Sequence, residues 1–138
     1  MKYLLDTHVV SEVMKADGPA AVLEWVEENQ DFSFISALTV AEIGKGVEQL
    51  PNGRRKQSLQ EAFQQFLPVF EDRVLSFDLG VARGWARLAV ELKRKGRQTP
   101  IVDSMIEATA IQWDLTIATR NTPDFIQAST LNLWSLRS

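Results

Sequence analysis

The chain has 138 residues, 45% of them hydrophobic and 24% charged, with a net charge of −3 and a pI near 5.2. This predicts one domain over residues 1–138, burying roughly two-thirds of the unfolded chain's surface, and excludes disorder as the main state. No Cys and a single His, His8, exclude disulfide frameworks, thiol catalysis and multi-His metal sites. No apolar run reaches the ~18–20 residues that span a bilayer, and the N-terminal run is too short for a leader, so a soluble, cytoplasmic protein without membrane contacts is expected.

In chain order, Lys2–Leu5 reads as a short buried strand ending at Asp6-Thr7. Val9–Lys15 and Pro19–Glu28 read as helices separated by Asp17-Gly18-Pro19. Phe32–Ser36 is a strand, and Thr39–Leu50 a helix stopped by Pro51-Asn52-Gly53. Arg54–Phe70 is a long amphipathic helix, with Leu59, Phe63, Phe66, Leu67 and Phe70 at helical spacing. These apolar residues fit the core or an interface, and Trp25, Trp85, Trp113 and Trp134 read first as core. Val74–Phe77 is a strand and Leu79–Lys95 a helix closed by Gly96. Thr99-Pro100 opens a helix through Asp103 to Gln112. Leu115–Thr119 is a strand, Pro123–Phe125 a helical turn and Leu131–Trp134 a last strand. Strands alternating with helices predict an α/β fold, a Rossmann-like, mainly parallel sheet with helices on both faces.

Charge is uneven. Residues 1–44 carry two basic and eight acidic residues, whereas residues 45–97 carry eleven basic and six acidic ones. Arg54-Arg55-Lys56 and Lys93-Arg94-Lys95-Gly96-Arg97 read either as phosphate-facing patches or as solvated helix faces.

In open α/β sheets, ligands gather outside the carboxyl ends of the strands. Asp6 follows the first predicted strand, Glu42 lies early in the helix after the second, and Asp103 sits in the first turn of its helix. Asn121 and Asp124 follow the Leu115–Thr119 strand. Asp6, Glu42 and Asp103 are separated by 36 and 61 residues, so only the fold can assemble them. Each acid also has a local reading. Thr39-Val40-Ala41-Glu42 matches a capping box, and Asp103 and Asp124 favour the positive ends of helices. Asp6 is harder to explain locally, because a carboxylate ending a buried strand needs partners. Three carboxylates converging at about 5 Å would repel by roughly 3 kcal/mol per pair at an effective dielectric near 20. Such a cluster calls for protons or an oxygen-loving cation, Mg²⁺ or Mn²⁺, which polarises a phosphoryl oxygen and activates water.

Four blocks, in order along the chain, carry a family resemblance. They are Tyr3-Leu4-Leu5-Asp6-Thr7 with Ser11-Glu12, Ser36-Ala37-Leu38-Thr39-Val40-Ala41-Glu42-Ile43, Thr99-Pro100-Ile101-Val102-Asp103 continuing to Ala110, and Ala118-Thr119-Arg120-Asn121-Thr122-Pro123-Asp124-Phe125. Together they resemble the PIN-domain ribonucleases, specifically VapC/FitB-like toxins of type II toxin–antitoxin pairs. The resemblance implies a single PIN domain and an Mg²⁺- or Mn²⁺-dependent endoribonuclease. It also implies a homodimer, a cognate antitoxin, an RNA substrate, and operator DNA reached only through the antitoxin. Carried over by position, Asp6, Glu42 and Asp103 become metal-site and catalytic residues, with Asn121 as the fourth polar position. Thr7, Thr119 and Asp124 become accessory residues, and Glu107, one turn after Asp103, joins the site, holds water or simply covers its helix. Arg83, Arg87, Lys93, Arg94 and Arg120 are candidates for holding RNA.

Two positions depart from the family pattern: His8 stands where an Asn is usual, and Asn121 where an Asp is common. A haloacid-dehalogenase-type phosphatase needs a second Asp where His8 stands, and a P-loop enzyme needs a Gly-rich loop that is missing. The rival from another class is a PIN-fold binding module of weak activity, acting through antitoxin and dimer contacts.

Overall fold

The computed structural model describes residues 2–15 and 17–136. Strands β1 (Tyr3–Leu5), β2 (Ser33–Ser36), β3 (Val74–Leu75), β4 (Thr116–Thr119) and β5 (Thr130–Asn132) form one sheet in the order β3-β2-β1-β4-β5. All four pairings are parallel. Helices are α1 (Thr7–Met14), α2 (Ala20–Glu28), α3 (Ala37–Glu48), α4 (Arg54–Phe66), α5 (Leu79–Arg94) and α6 (Ile101–Trp113).

The period-2 alternation of strand side chains divides the core into two layers. Leu5, Ile35 and Ala118 face a layer built from Val9, Val10, Val22, Val26, Ile43, Val47 and Phe70. Their neighbours Leu4 and Ile117 face the opposite layer, with Ile106 and Ala110 of α6. Helices α5 and α6 pack together through Val81, Leu88, Leu92 and Ala108. The apolar run of β1 is therefore buried on both faces, as a central parallel strand requires. The chain winds outward from β1 to β3, then returns to β4 on the other side of β1. The order reverses between β1 and β4, and in open α/β sheets ligands gather at such a switch point, outside the strands' carboxyl ends.

Several boundaries differ from the sequence expectation, most of them for a local reason. Helix α1 starts at Thr7 because Asp6 caps it, its Oδ1 accepting from the Val9 N–H at 2.9 Å. Helix α3 starts at Ala37 because Ser36 Oγ accepts from the Leu38 N–H at 3.0 Å. The expected capping box on Thr39 and Glu42 is thus replaced. Helix α4 ends at Phe66 rather than Phe70, and a tighter 3₁₀ stretch runs over Leu67–Arg73. Pro68 has no N–H for the Gln64 carbonyl and its ring crowds that turn. Strand β3 stops at Leu75, short of Phe77, and Phe32 lies in a 3₁₀ turn before β2. Strand β5 stops at Asn132, whose Oδ1 accepts from the Trp134 N–H at 2.9 Å and turns Leu133–Ser135 off the sheet. Trp113 is 51% exposed, against the expectation of a core residue. Among the described residues, no helix is long and apolar enough to cross a membrane.

Candidate functional site

Asp6 is the last residue held by the central ladder: its N–H donates to the Ala118 carbonyl at 3.1 Å, continuing the β1–β4 pairing. Its side chain is only 7% exposed at the switch point. Burial pushes its carboxyl up from the ordinary Asp range, against the opposing pull of the Thr119 hydroxyl, the Val9 N–H and the neighbouring His8. Thr119, fully buried at the end of β4, also accepts from the Asn121 N–H at 3.0 Å and so sets the turn that leaves the sheet.

Glu42 projects from the second turn of α3 and is oriented by its neighbours. Thr7 Oγ1 donates to Glu42 Oε1 at 2.7 Å and lies 3.1 Å from Thr39 Oγ1. A hydroxyl at the start of α1 thus joins α3 across 35 residues of sequence. Thr39 is buried and was seen in sequence only as a helix start, so its part in this junction was missed.

Asp103 lies in the first turn of α6. Burial, then the facing charges of Glu42, Asp124 and Asp6, push its carboxyl from 3.8 up to about 6. The fold therefore brings four of the sequence-predicted acids within electrostatic reach of one another. It does not close them into a ligand set: among the described residues, no three His, Cys, Asp or Glu side chains are grouped so that they could hold a metal ion as they stand. One oxygen each of Asp6 and Glu42 is held by the Val9 N–H and the Thr7 hydroxyl, which leaves further acceptor capacity on both carboxylates.

The burial of Asp103, and after it the repulsion from its neighbours, has a measurable sign. An acid whose folded pKa lies above its unfolded value favours folding most at low pH, and this contribution is lost as pH rises. For Asp103 the window runs from about 4 to 6. The stability gap between Asp103→Asn and the unaltered chain, measured by urea unfolding in EDTA, is expected to be wide at pH 7.5 and to narrow toward pH 4.5. A gap that does not change with pH would mean that burial and the facing charges do not raise the Asp103 carboxyl.

The remaining predicted residues are placed as follows. Asn121 is exposed at the mouth of the β4 turn, and Asp124 ends a short 3₁₀ turn beside Asp103. Arg120 is exposed, its guanidinium 5.4 Å from the Trp134 ring, and His8 packs on the same ring at 5.3 Å. Arg83, Arg87, Lys93 and Arg94 are exposed on α5, Arg94 facing Glu91 at 3.7 Å. Glu107 is fully buried and bonded to the backbone before β5, and its charge is not among those facing Asp103.

Comparison with known proteins agrees with this architecture. The PIN domain family matches residues 3–129. Toxin FitB of Neisseria gonorrhoeae (strain ATCC 700825 / FA 1090) is 38% identical over 135 residues, 95% of this chain and 97% of that protein. The VapC ribonuclease Y4jK of Sinorhizobium fredii (strain NBRC 101917 / NGR234) is 36% identical over 135 residues, 95% of this chain and 96% of that one. A chain in the structure of FitAB bound to an IR36 DNA fragment is 36% identical with a TM-score of 0.88, covering 99% of this chain and 98% of its own. A doubly wound parallel sheet, acids gathered at its switch point and a match over nearly the whole length lead to one assignment: the chain belongs to the PIN-domain family, closely related to its VapC/FitB-type toxins.

Proposed function

We propose that the chain is the toxin of a type II toxin–antitoxin pair and a divalent-cation-dependent endoribonuclease that hydrolyses RNA phosphodiester bonds. The observation that carries this reading is the family match over residues 3–129 in a doubly wound parallel sheet whose strand-end acids include Asp103, raised by burial and by the charges of Glu42, Asp124 and Asp6. Among the described residues no Lys or Arg forms an ion pair with any of these four acids. The donor set fits Mg²⁺ or Mn²⁺, hard cations that prefer carboxylate oxygens and retain several waters. Asp6, Asp103 and Glu42 would hold the ion, with Asn121 as a fourth polar group. When bound, such an ion supplies Lewis acidity toward a phosphoryl oxygen and makes water more acidic.

The chain's own groups do the positioning. Val9 fixes Asp6, and Thr7 fixes Glu42. Exposed Arg83, Arg87, Lys93 and Arg94 give α5 a cationic face for a phosphate backbone, and Arg120 stands next to Asn121. The same reading implies a cognate antitoxin, a homodimer, and operator DNA reached through the antitoxin. It is supported by the likeness to a chain in the DNA-bound FitAB structure.

One observation favours a second reading, a binding module with little nuclease activity: the acids as they stand form no closed ligand set. Purified, antitoxin-free chain incubated with total bacterial RNA separates the two, with fragment ends read by sequencing in Mn²⁺, in Mg²⁺ and in EDTA. The ribonuclease reading predicts discrete cuts with 5′-phosphates that vanish in EDTA. Cuts that persist in EDTA, or that end in 2′,3′-cyclic phosphate, would contradict it. Mn²⁺ uptake with no cleavage would favour the module.

A further inference from the structure

Glu107 is 0% exposed in the middle of α6, between Ile106 and Ala108 in a stretch otherwise packed into the core. An apolar side chain would sit there without penalty, whereas a carboxylate gives up its hydration and must recover it from the protein. Its Oε2 accepts from the backbone N–H groups of Gln127 at 2.8 Å and Ala128 at 3.0 Å. Oε1 is enclosed and has no hydrogen-bond partner among the described residues. The carboxylate therefore serves one visible purpose, to hold the segment that joins β4 to β5.

That segment begins at the acidic site. It leaves β4 at Thr119, passes Asn121 and Asp124, and reaches Gln127 and Ala128 just before β5. A second tie grips it from the connection between α5 and α6, where Arg97 Nη2 donates to the Pro123 carbonyl. The two ties flank Asp103 in sequence, Arg97 six residues before it and Glu107 four residues after. Both fasten the loop to the part of the fold that carries Asp103, and Asp124 lies between the two points of attachment. Glu107 cannot act as a further acid of the cluster in this arrangement, because its carboxylate is closed off and turned to the loop backbone.

We propose that Glu107 is a positioning residue of the acidic site: it clamps residues 121–128 onto α6 through the N–H groups of Gln127 and Ala128, so that Asp124 is held facing Asp103, with Arg97 as the second tie. The inference rests on the reading of the strand-end acids as a cation site, which it deepens by naming what sets the fourth acid in place.

Two measurements on the full chain test it. Glu107→Leu fills the same space without an acceptor, and Glu107→Gln keeps a carbonyl oxygen for the two donors. In cation-free protein, Glu107→Leu is expected to speed amide hydrogen exchange across residues 121–128 about tenfold or more while β1 and β4 stay protected, and Glu107→Gln to restore protection. In Mn²⁺ titrations followed by electron paramagnetic resonance, Glu107→Leu is expected to weaken binding about tenfold. Combined with Asp124→Asn, it should weaken binding no further than Asp124→Asn alone. Unchanged loop exchange would overturn the clamp. Additive losses of affinity, or unaltered affinity beside a loosened loop, would overturn the positioning role. Should Glu107→Leu fail to fold, Arg97→Ala releases the second tie from an exposed position and must loosen the same loop. If the unaltered chain takes up no Mn²⁺, the cation reading of the site fails, and loop exchange alone decides whether Glu107 is a clamp.

Discussion

Asp103→Asn is expected to make the cation-free protein more stable at pH 7.5 while lowering RNA cleavage roughly 10³-fold, the upper end of what removing one preorganised electrostatic contact costs. Both effects have one cause. The Asp103 carboxyl is pushed to about 6 first by burial and then by Glu42, Asp124 and Asp6. The rise from 3.8 to about 6 corresponds to about 3 kcal/mol, and screening by water at this half-buried group leaves about 1–2 kcal/mol. An amide in the same space carries no charge, so the folded state gains that amount. The same substitution removes an anionic oxygen from the proposed cation site. Ordinary surface substitutions change stability by about 0.5 kcal/mol or less, so a gain of this size is measurable by urea unfolding. A variant that lost both stability and activity would mean that Asp103 is a structural residue.

Phe70→Ala is expected to destabilise the fold by about 3–5 kcal/mol, the range for truncating a buried aromatic. Phe70 is 1% exposed and belongs to the core layer of β1, β2 and α1–α3. Its ring stacks on Phe66 at 4.8 Å between centroids, and the Arg73 guanidinium lies 5.3 Å from its centre. Arg73 in turn donates from Nε to the Ser33 carbonyl at 3.0 Å, tying the 3₁₀ stretch to β2. A domain of this size has about 5–15 kcal/mol in total, so the variant should unfold at much lower urea. Val69→Ala next to it, at a 40% exposed position, is expected to change little. Equal effects at the two positions would contradict the assignment of Phe70 to the core.

The sheet was legible because short apolar runs and helical patterns alternate, and a parallel sheet is the arrangement that buries both. Its strand order was not, since nothing in the run Tyr3–Leu5 states which strands will flank it. The boundary errors arise where one side chain outcompetes periodicity. Ser36 caps α3 ahead of Thr39, Pro68 ends α4 ahead of Phe70, and Asn132 turns Trp134 away from β5. Asp6 was legible as a carboxylate that ends a buried strand and needs partners, but its local partner, the Val9 N–H that it caps, was not. The approach of Glu42, Asp103 and Asp124 followed from the rule that parallel strands present their ends to one edge. The supports of these acids were not legible. Thr7 meets Glu42 across 35 residues and Glu107 meets Gln127 across 20, and such pairs exist only after the chain has folded. Glu107 in particular reads as an acid one turn from Asp103, and only its burial separates a loop clamp from a ligand.

The acids at the switch point are proposed to form a site for one kind of ligand, a divalent cation. Calorimetric titration of Mn²⁺ into the purified chain and into Asp103→Asn, both at pH 7.5, tests this most directly. Saturable binding to the unaltered chain is expected, abolished or weakened at least tenfold by the single substitution. Equal binding to both proteins would place the cation elsewhere and leave the cluster without the role argued for it.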